Sequence, residues 1–299
     1  MRRLGLTGCD VSLLGLGGFH VGVDSLTDAE SVRLIRTAID GGVNFLDNAR
    51  EYNGGRSEER VGLALRDGWR RRVFLMTKNC AHTRDGAETM RDLEASLRAF
   101  RTDCLDLMLF HEVVYDNDPD WIMSRGGLAA AIRARKQGKV RFIGFSGHKL
   151  PQIHLRMLAL PFRWDVVMLP LNIFDAHFRS FEKHVLPVLN QRSIGAVAFK
   201  TLTGFMSDML SKTGIPAEEC LRYAMSLPCS TAVVGMESMD LLKKNLALMH
   251  RFEPMTDDEK RAILARSGPY AGDGRFERYK TGLHFEGAPG LAAHDFKRP

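Results

Sequence analysis

The feature that most limits the possible folds is a regular alternation of short apolar runs and amphipathic stretches. The apolar runs predict strands near 13–17, 43–47, 72–77, 104–110, 140–145, 165–170, 194–199 and 230–235. Helical spacing of apolar residues predicts a helix after each strand, near 28–40, 57–67, 85–101, 123–137, 149–158, 180–190, 216–226 and 238–249. Eight strand–helix units at intervals of roughly 25–35 residues favour a closed (β/α)8 barrel over an open sheet.

A doubly wound parallel sheet is the structural alternative, because it has the same alternation. The dinucleotide-binding form of that sheet carries a Gly-x-Gly-x-x-Gly sequence where its first helix begins, and this chain has none there. Before the first barrel strand, residues 4–6 and 11–13 with a turn between them predict an antiparallel hairpin. After the eighth helix, Thr256 and Glu259 form a capping pattern for one more helix, to about Arg266.

Length and composition fit one large domain. The chain has 299 residues, of which 44% are hydrophobic, and this is enough to build a single barrel core. We expect residues 1–266 to form the barrel and 267–299 to form a C-terminal extension, which either packs over the barrel mouth or is loosely ordered. The predicted fold class is therefore α/β: a (β/α)8 TIM barrel with an N-terminal β-hairpin and a C-terminal helix and tail extension.

Charge, cysteine usage and hydropathy exclude several classes of protein. A net charge of +6 from scattered basic residues falls short of a nucleic-acid-binding tract. The five cysteines are far apart and form no Cys-x-x-Cys pair, so we predict no metal site and reduced thiols. The chain has neither an apolar run long enough to span a membrane nor a signal-peptide pattern. We expect a cytoplasmic location, and the sequence leaves the oligomeric state open.

Three successive predicted strands each lead into a titratable residue. Asp47 ends the second strand, Lys78 follows the third and His111 follows the fourth, while Tyr52 lies five residues after Asp47 in a glycine-rich loop. Alone, each has an ordinary structural explanation, such as a helix cap or a solvated lysine. Because the carboxyl ends of barrel strands converge on one mouth, we expect the four side chains to meet there.

These four residue types can share one acid–base reaction. A free tyrosine has a pKa of about 10, and an adjacent ammonium lowers that value by favouring the phenolate. We expect Lys78 to act on the pKa of Tyr52 in this way, while Asp47 holds and neutralises Lys78. His111 would then donate a hydrogen bond to an oxygen that becomes negative during the reaction.

The arrangement of these four residues closely resembles the catalytic tetrad of the aldo-keto reductases. The resemblance extends through most of the chain, in the motifs Leu16-Gly17-Gly18, Asp47-x-Ala49-x-x-Tyr52, Gly55-Arg56-Ser57-Glu58, Thr77-Lys78, Leu107-Met108-Leu109-Phe110-His111, Ile143-Gly144-Phe145-Ser146 and Gly235-Met236-x-Ser238, followed by Asn245. It implies an NADP(H)-dependent oxidoreductase that passes a hydride between the nicotinamide and the carbonyl carbon of an aldehyde or ketone. Tyr52 would be the proton donor, Lys78 and Asp47 its tuning pair, and His111 the donor that orients the substrate.

The resemblance also implies a set of cofactor-binding residues near the ends of the later strands: Ser146, Asn172, Phe199, Lys200, Gly235, Ser238 and Asn245. Phe199 would stack on the nicotinamide ring, and Ser238 and Asn245 would lie at the 2′-phosphate. The family pattern has an asparagine and a glutamine where this chain has Gly147 and Met168, and basic residues at Gly235 and Leu241. Lys243 and Lys244 are nearby substitutes, and NAD(H) is possible beside NADP(H).

Two other functions remain open from the sequence. A non-catalytic nucleotide-binding barrel, acting as a redox sensor or partner subunit, would account for the missing carboxamide contacts. A barrel that handles phosphorylated sugars would use the same mouth without any dinucleotide. If the partner is a small-molecule carbonyl, the mostly apolar predicted pocket suggests an aldehyde or ketone of modest polarity; its residues are Phe19, His20, Asn79, Cys80, Val113 and Val114.

Overall fold

The computed structural model shows a closed barrel of eight parallel strands preceded by a two-stranded antiparallel hairpin. It describes residues 1–204, 207–282 and 286–295. The hairpin strands are β1 (Arg2–Arg3) and β2 (Asp10–Val11), and the barrel strands are β3 (Leu14–Gly17), β4 (Phe45–Asp47), β5 (Phe74–Asn79), β6 (Leu105–Phe110), β7 (Val140–Ser146), β8 (Val166–Pro170), β9 (Gly195–Phe199) and β10 (Thr231–Gly235). Because β10 pairs in parallel with both β9 and β3, the sheet has no free edge. The predicted (β/α)8 barrel is confirmed.

Helices lie between the barrel strands and after the last one. They are α1 (Asp28–Asp40), α2 (Arg56–Ala64), α3 (Gly86–Phe100), α4 (Asp118–Ser124), α5 (Gly127–Lys136), α6 (Pro151–Ala159), α7 (Phe181–His184), α8 (Leu186–Gln191), α9 (Met209–Thr213), α10 (Ala217–Ser226), α11 (Met239–His250), α12 (Asp257–Ser267), α13 (Arg278–Thr281) and α14 (Ala288–Ala293). The capping box predicted for Thr256 and Glu259 is present at the start of α12. Among the described residues, no helix combines the length and apolar character that crossing a membrane needs.

The bounds of several predicted elements differ in the structure. The hairpin strands begin earlier, because Arg2 pairs with Val11 and Arg3 with Asp10. The helix predicted near 123–137 is divided into α4 and α5, since Gly126 between them adopts a φ of 88°. The helix predicted near 180–190 is divided into α7 and α8 at Val185, with a proline in the first turn of α8. A proline there is tolerated because the first N–H groups of a helix have no intrahelical partner.

The barrel interior is a packed apolar core. Side chains from alternate strand positions fill it, and Leu4 and Val11 of the hairpin join them from the amino-terminal end of the barrel. Met168, which stands where the related family has a glutamine, belongs to this interior core and is 1% exposed. Since the hairpin covers the amino-terminal end, groups that meet a ligand must lie at the carboxyl ends of the strands.

The C-terminal extension packs against that carboxyl-terminal face. Lys280 forms a fully buried ion pair of 2.6 Å with Asp175, which follows β8. Farther along, the Gly287 N–H donates to the Glu112 carboxylate at 3.1 Å, and Leu291 packs with Tyr115 in a small apolar cluster. Of the two arrangements expected for this segment, the described residues have the packed one; residues 283–285 and 296–299 lie outside the described part of the chain.

Candidate active site

The backbone between neighbouring strand ends holds the predicted site residues in place. Asp47 is the last residue of β4, Lys78 lies one position before the end of β5, and His111 directly follows β6. Ladder-like hydrogen bonds continue past the strands: Lys78 N–H donates to the Asn48 carbonyl at 3.1 Å, and His111 N–H donates to the Asn79 carbonyl at 3.0 Å. The three side chains therefore leave the barrel from fixed, adjacent positions.

The buried ammonium of Lys78 contacts two of the other three side chains, Asp47 and Tyr52. Lys78 Nζ donates to the Asp47 carboxylate, to the Asn48 carbonyl at 2.9 Å and to the Tyr52 hydroxyl at 3.2 Å. The Lys78 and Asp47 side chains are only 1% and 5% exposed. The His111 ring meets the Tyr52 ring edge-on, with centroids 5.9 Å apart. The structure thus brings together all four residues that the strand ends predict to meet.

Burial dominates the electrostatics of the tyrosine. Loss of solvent raises the pKa of Tyr52 well above its usual value, and the carboxylates of Asp47 and Glu51 raise it further. The expectation of a lowered pKa is therefore wrong for the net effect, although the neighbouring Lys78 ammonium by itself favours the phenolate. The reason is that Asp47 pairs with the ammonium and offsets its charge, while burial disfavours the phenolate. Tyr52 consequently holds its proton and is suited to donate it.

An unpredicted carboxylate, Glu51, links two histidines beside the tyrosine. Its two oxygens lie 2.8 Å from His111 Nδ1 and 3.2 Å from His82 Nε2. Burial opposes the charge on Glu51, but His111 and then His82 outweigh it and lower the carboxyl pKa. Sequence reasoning missed Glu51 and His82, although Glu51 precedes Tyr52 directly and His82 lies four residues after Lys78.

A buried arginine fixes the loop that carries His111. Arg84 is fully buried, pairs with Asp118 at 2.8 Å, and donates to the carbonyls of His111 and Glu112 at 2.8 and 3.0 Å. Three hydrogen bonds from one rigid guanidinium define the loop geometry more tightly than a lysine would. No local pattern marks Arg84, because its partners lie about 30 residues away in sequence.

The predicted nicotinamide contacts are only partly free to serve a cofactor. Ser146 Oγ, at the end of β7, lies 3.4 Å from the Phe110 carbonyl. Phe199 ends β9, and the Lys200 ammonium lies 5.4 Å from its ring centroid. Burial lowers the pKa of Lys200 to about 8, against the opposing effect of the carboxylates of Glu112 and Glu286.

Asn172 is more constrained. Its amide nitrogen donates to Tyr279 at 2.9 Å and lies 3.3 Å from Glu277, both in the C-terminal extension. Its amide oxygen accepts from the N–H groups of Phe174 and Asp175 at 2.9 and 3.1 Å. A cofactor contact to Asn172 would require one of these partners to be displaced.

The residues predicted to lie at the cofactor 2′-phosphate are on α11 and at its start. Ser238 is the N-cap of this helix and accepts from the Leu241 N–H at 3.2 Å. Asn245 is buried, and its amide nitrogen has no hydrogen-bond partner within the described part of the chain. Gly235 faces the ring of His20 so closely that a Cβ there would lie 2.1 Å from it. Lys243 and Lys244 are exposed on the same helix.

The predicted pocket residues divide into two groups. Phe19 packs edge-on against Tyr52 with centroids 5.5 Å apart, and Cys80 Sγ lies 3.3 Å from His111 Nδ1, so both border the tetrad. Val113 and Val114 are buried in the loop after β6, and His20 pairs with Glu237 at 3.0 Å. Asn79 instead donates to the Thr89 carbonyl of α3 at 2.8 Å, which commits it to the barrel scaffold.

Comparison with known proteins identifies relatives of this chain. The model of the aldo/keto reductase family matches residues 13–215. Aldo-keto reductase YhdN of Bacillus subtilis is 29% identical over 220 residues, covering 68% of this chain and 63% of that relative, somewhat less than two thirds of its length. L-galactose dehydrogenase of Arabidopsis thaliana is 23% identical over 293 residues, covering 87% of this chain and 91% of that protein.

Solved structures give the same fold. Aldo-keto reductase AKR11C1 from Bacillus halodurans superposes with a TM-score of 0.74 at 23% identity, covering 89% of this chain and 95% of that one. An aldo/keto reductase from Klebsiella pneumoniae, in complex with NADP and acetate, gives a TM-score of 0.72 at 25% identity, with coverage of 90% and 95%. Since the family model spans more than half of the sequence, the chain belongs to the aldo/keto reductase family.

Proposed function

We propose that this protein is an NADP(H)-dependent oxidoreductase that reduces an aldehyde or ketone to an alcohol, or catalyses the reverse reaction, with Tyr52 as the proton donor. The observation that carries the proposal is the contact of one buried ammonium, Lys78 Nζ, with both the Asp47 carboxylate and the Tyr52 hydroxyl. When bound, the nicotinamide supplies or accepts the hydride.

The four side chains divide the proton chemistry between them. Tyr52 holds its proton in the resting site, so it can give that proton to a carbonyl oxygen that gains negative charge. The phenolate left behind lies 3.2 Å from the Lys78 ammonium, which stabilises it. Asp47 holds the Lys78 side chain in place through their ion pair. Glu51 holds the His111 ring through Nδ1, and the carbonyl oxygen accepts a hydrogen bond from the other ring nitrogen when that nitrogen also carries a proton.

Several residues would hold the cofactor. Asn245 has a buried amide nitrogen with no partner among the described residues, and such an unpaired donor fits a bound nucleotide. Ser238 and the first turn of α11 would lie beside it, and Ser146, Phe199, Lys200 and Gly235 would line the path toward Tyr52. Asn172 would have to exchange a protein partner. The similar Klebsiella pneumoniae protein is bound to NADP, which supports a nicotinamide dinucleotide here.

The substrate we propose is a small, mostly apolar carbonyl compound. Phe19 supplies apolar surface against Tyr52, and the buried Val113 and Val114 follow His111 in the same loop. We also propose that residues 267–299 act as a distinct extension of the 1–266 barrel and shape the substrate pocket, because Leu291 packs on Val114 and Tyr115. Nucleic acid and membrane are not among the partners we propose.

Replacement of Tyr52 by Phe tests the proposal. This change removes the phenolic proton while keeping the ring, so kcat with an aldehyde such as a nitrobenzaldehyde should fall by about 10²–10⁴. Cofactor affinity, measured by fluorescence titration of NADPH, should stay nearly unchanged. Tyr270→Phe, at a partly buried tyrosine in the turn after α12, is the matched control and should retain wild-type kcat.

Two results would contradict the proposal. Tyr52→Phe with kcat within a few-fold of wild type would remove Tyr52 from its role as proton donor. A wild-type protein that binds NADPH and reduces no aldehyde or ketone would instead favour the non-catalytic nucleotide-binding barrel.

A further inference from the structure

Four side chains beside the tetrad form a cluster of metal-binding donor types: Glu51, Cys80, His82 and His111. One donor atom from each lies within 4.8 Å of all the others. His111 Nδ1 lies 2.8 Å from Glu51 Oε1 and 3.3 Å from Cys80 Sγ, and His82 Nε2 lies 3.2 Å from Glu51 Oε2. The cluster joins the loop after β4 to the ends of β5 and β6.

The spacing of these atoms fits a tetrahedral cation site. Zinc binds nitrogen and oxygen at about 2.0–2.2 Å and thiolate sulfur at about 2.3 Å, so its four ligand atoms lie roughly 3.3–3.6 Å apart. Three contacts, of 2.8, 3.2 and 3.3 Å, lie at or slightly below the short end of this range, and the most separated donor atoms lie within 4.8 Å, so a cation entering the cluster would require the side chains to shift around it. Thiolate, imidazole and carboxylate together are a donor set that suits zinc better than magnesium or calcium.

Hydrogen bonding alone leaves part of the cluster unexplained. The carboxylate of Glu51 satisfies one nitrogen on each histidine, while Cys80 Sγ lies 3.3 Å from the same His111 nitrogen and donates to the Lys78 carbonyl at 3.5 Å. The His82 side chain is 2% exposed, and its Nδ1 has no hydrogen-bond partner within the described part of the chain. An unpaired polar atom at such depth is costly, but the His82 nitrogen that faces Glu51, and would bind a cation, is Nε2.

We propose that Glu51, Cys80, His82 and His111 bind a divalent cation of the zinc class beside the active site. Binding replaces the Glu51–histidine hydrogen bonds with bonds to the metal, and the proton on each of these histidine nitrogens passes to the other nitrogen of its ring or to solvent. The Cys80 thiol releases its proton to solvent as it becomes a thiolate ligand. The carboxylate and the thiolate then balance the two charges of the cation. Glu51 is 27% exposed and gives the cation a way in from solvent.

Bound zinc should also lower turnover, because His111 is then held by the metal. This consequence rests on the proposed function, whereas binding itself does not. The measurements of binding are therefore made without cofactor or substrate, so that failure of the reductase proposal and failure of the metal proposal can be told apart.

The first experiment is a zinc titration of metal-free protein in competition with a chromogenic chelator, with zinc content measured after gel filtration. Wild type should retain one zinc per chain. Cys80→Ser and His82→Gln should each weaken binding by at least about tenfold, since even changes outside the ligand shell cost that much. The matched controls are Cys104→Ser, at the opposite end of β6, and His184→Gln, on the surface; both should bind zinc as wild type does.

The second experiment uses wild-type protein alone, and so does not depend on any variant folding. Co²⁺ added to metal-free protein should give a thiolate-to-cobalt charge-transfer band in the near ultraviolet and the visible bands of a tetrahedral site. Absence of the thiolate band, zinc content well below one per chain, or affinity that neither Cys80→Ser nor His82→Gln reduces would overturn the proposal.

Discussion

Replacing Lys78 with Met should destabilise the protein through the carboxylate it leaves behind. Methionine keeps most of the length and apolar contact of the lysine side chain and removes only the ammonium. Asp47, whose side chain is 5% exposed, then remains buried without its cation. Burial already raises the pKa of Asp47, and Lys78 is the main opposing influence, so the variant should drive this carboxyl group to take up a proton.

Proton uptake sets an upper limit on the loss of stability. Protonating a carboxyl group with a normal pKa of 3.8 costs about 4 kcal/mol at pH 7 and about 1.6 kcal/mol at pH 5, at 1.36 kcal/mol per pH unit. This agrees with the ~3–5 kcal/mol typical of removing one partner from a buried ion pair. The loss in Lys78→Met should therefore be about two to three times larger at pH 7 than at pH 5. Lys78→Met/Asp47→Asn has neither charge and should regain most of the stability at pH 7.

Urea unfolding at both pH values measures these differences, with kcat measured in parallel. Both variants should be inactive, which separates the structural role of the pair from its chemical role. Lys183→Met, at an exposed lysine on α7, is the matched control and should change stability little. A loss below about 1 kcal/mol at pH 7, an equal loss at both pH values, or a double variant no more stable than the single one would refute the argument.

Three further predictions follow from the site. The double variant Tyr52→Phe/Lys78→Met should have a kcat little lower than that of either single variant, because the two side chains act as a unit. If the two losses of kcat multiply instead, the side chains act separately. NADPH should bind only modestly more tightly than NADH, by the ratio of Kd values at fixed salt, and Lys243→Ala or Lys244→Ala should reduce that ratio. A strong preference surviving both changes would place the phosphate site elsewhere, and a preference for NADH would overturn the choice of NADP(H). Burial raises the pKa of Glu112 from 4.5 to about 7, so the folded state binds more protons than the unfolded state in that window. The contribution of Glu112 to stability therefore declines as pH rises from about 4.5 to 7, and Glu112→Gln should reduce the fall in Tm over this pH range. If Tm falls with pH as steeply in the variant as in wild type, other groups cause the fall.

The sequence determined the fold because it depends on repeated local patterns. Apolar runs of strand length, helical spacing and caps such as Thr256 are properties of neighbouring residues, and the eight strands found match those runs closely. The positions of Asp47, Lys78 and His111 at strand ends were readable for the same reason, since a parallel barrel must bring those ends together. Where local conformation changed within a predicted helix, as at Gly126, the bounds were wrong.

Only the tertiary structure decided which partners these residues have and how they are charged. Glu51 reaches His82 and His111, Arg84 fixes the loop after β6, and Asn172 is bound by Tyr279 from the far end of the chain. Such pairings depend on packing between distant segments, which no local pattern encodes. The high pKa of Tyr52 also comes from packing between distant segments, because burial of the hydroxyl depends on every group that surrounds it. The residues next to Tyr52 in sequence reveal only the charges that lie beside it in the chain.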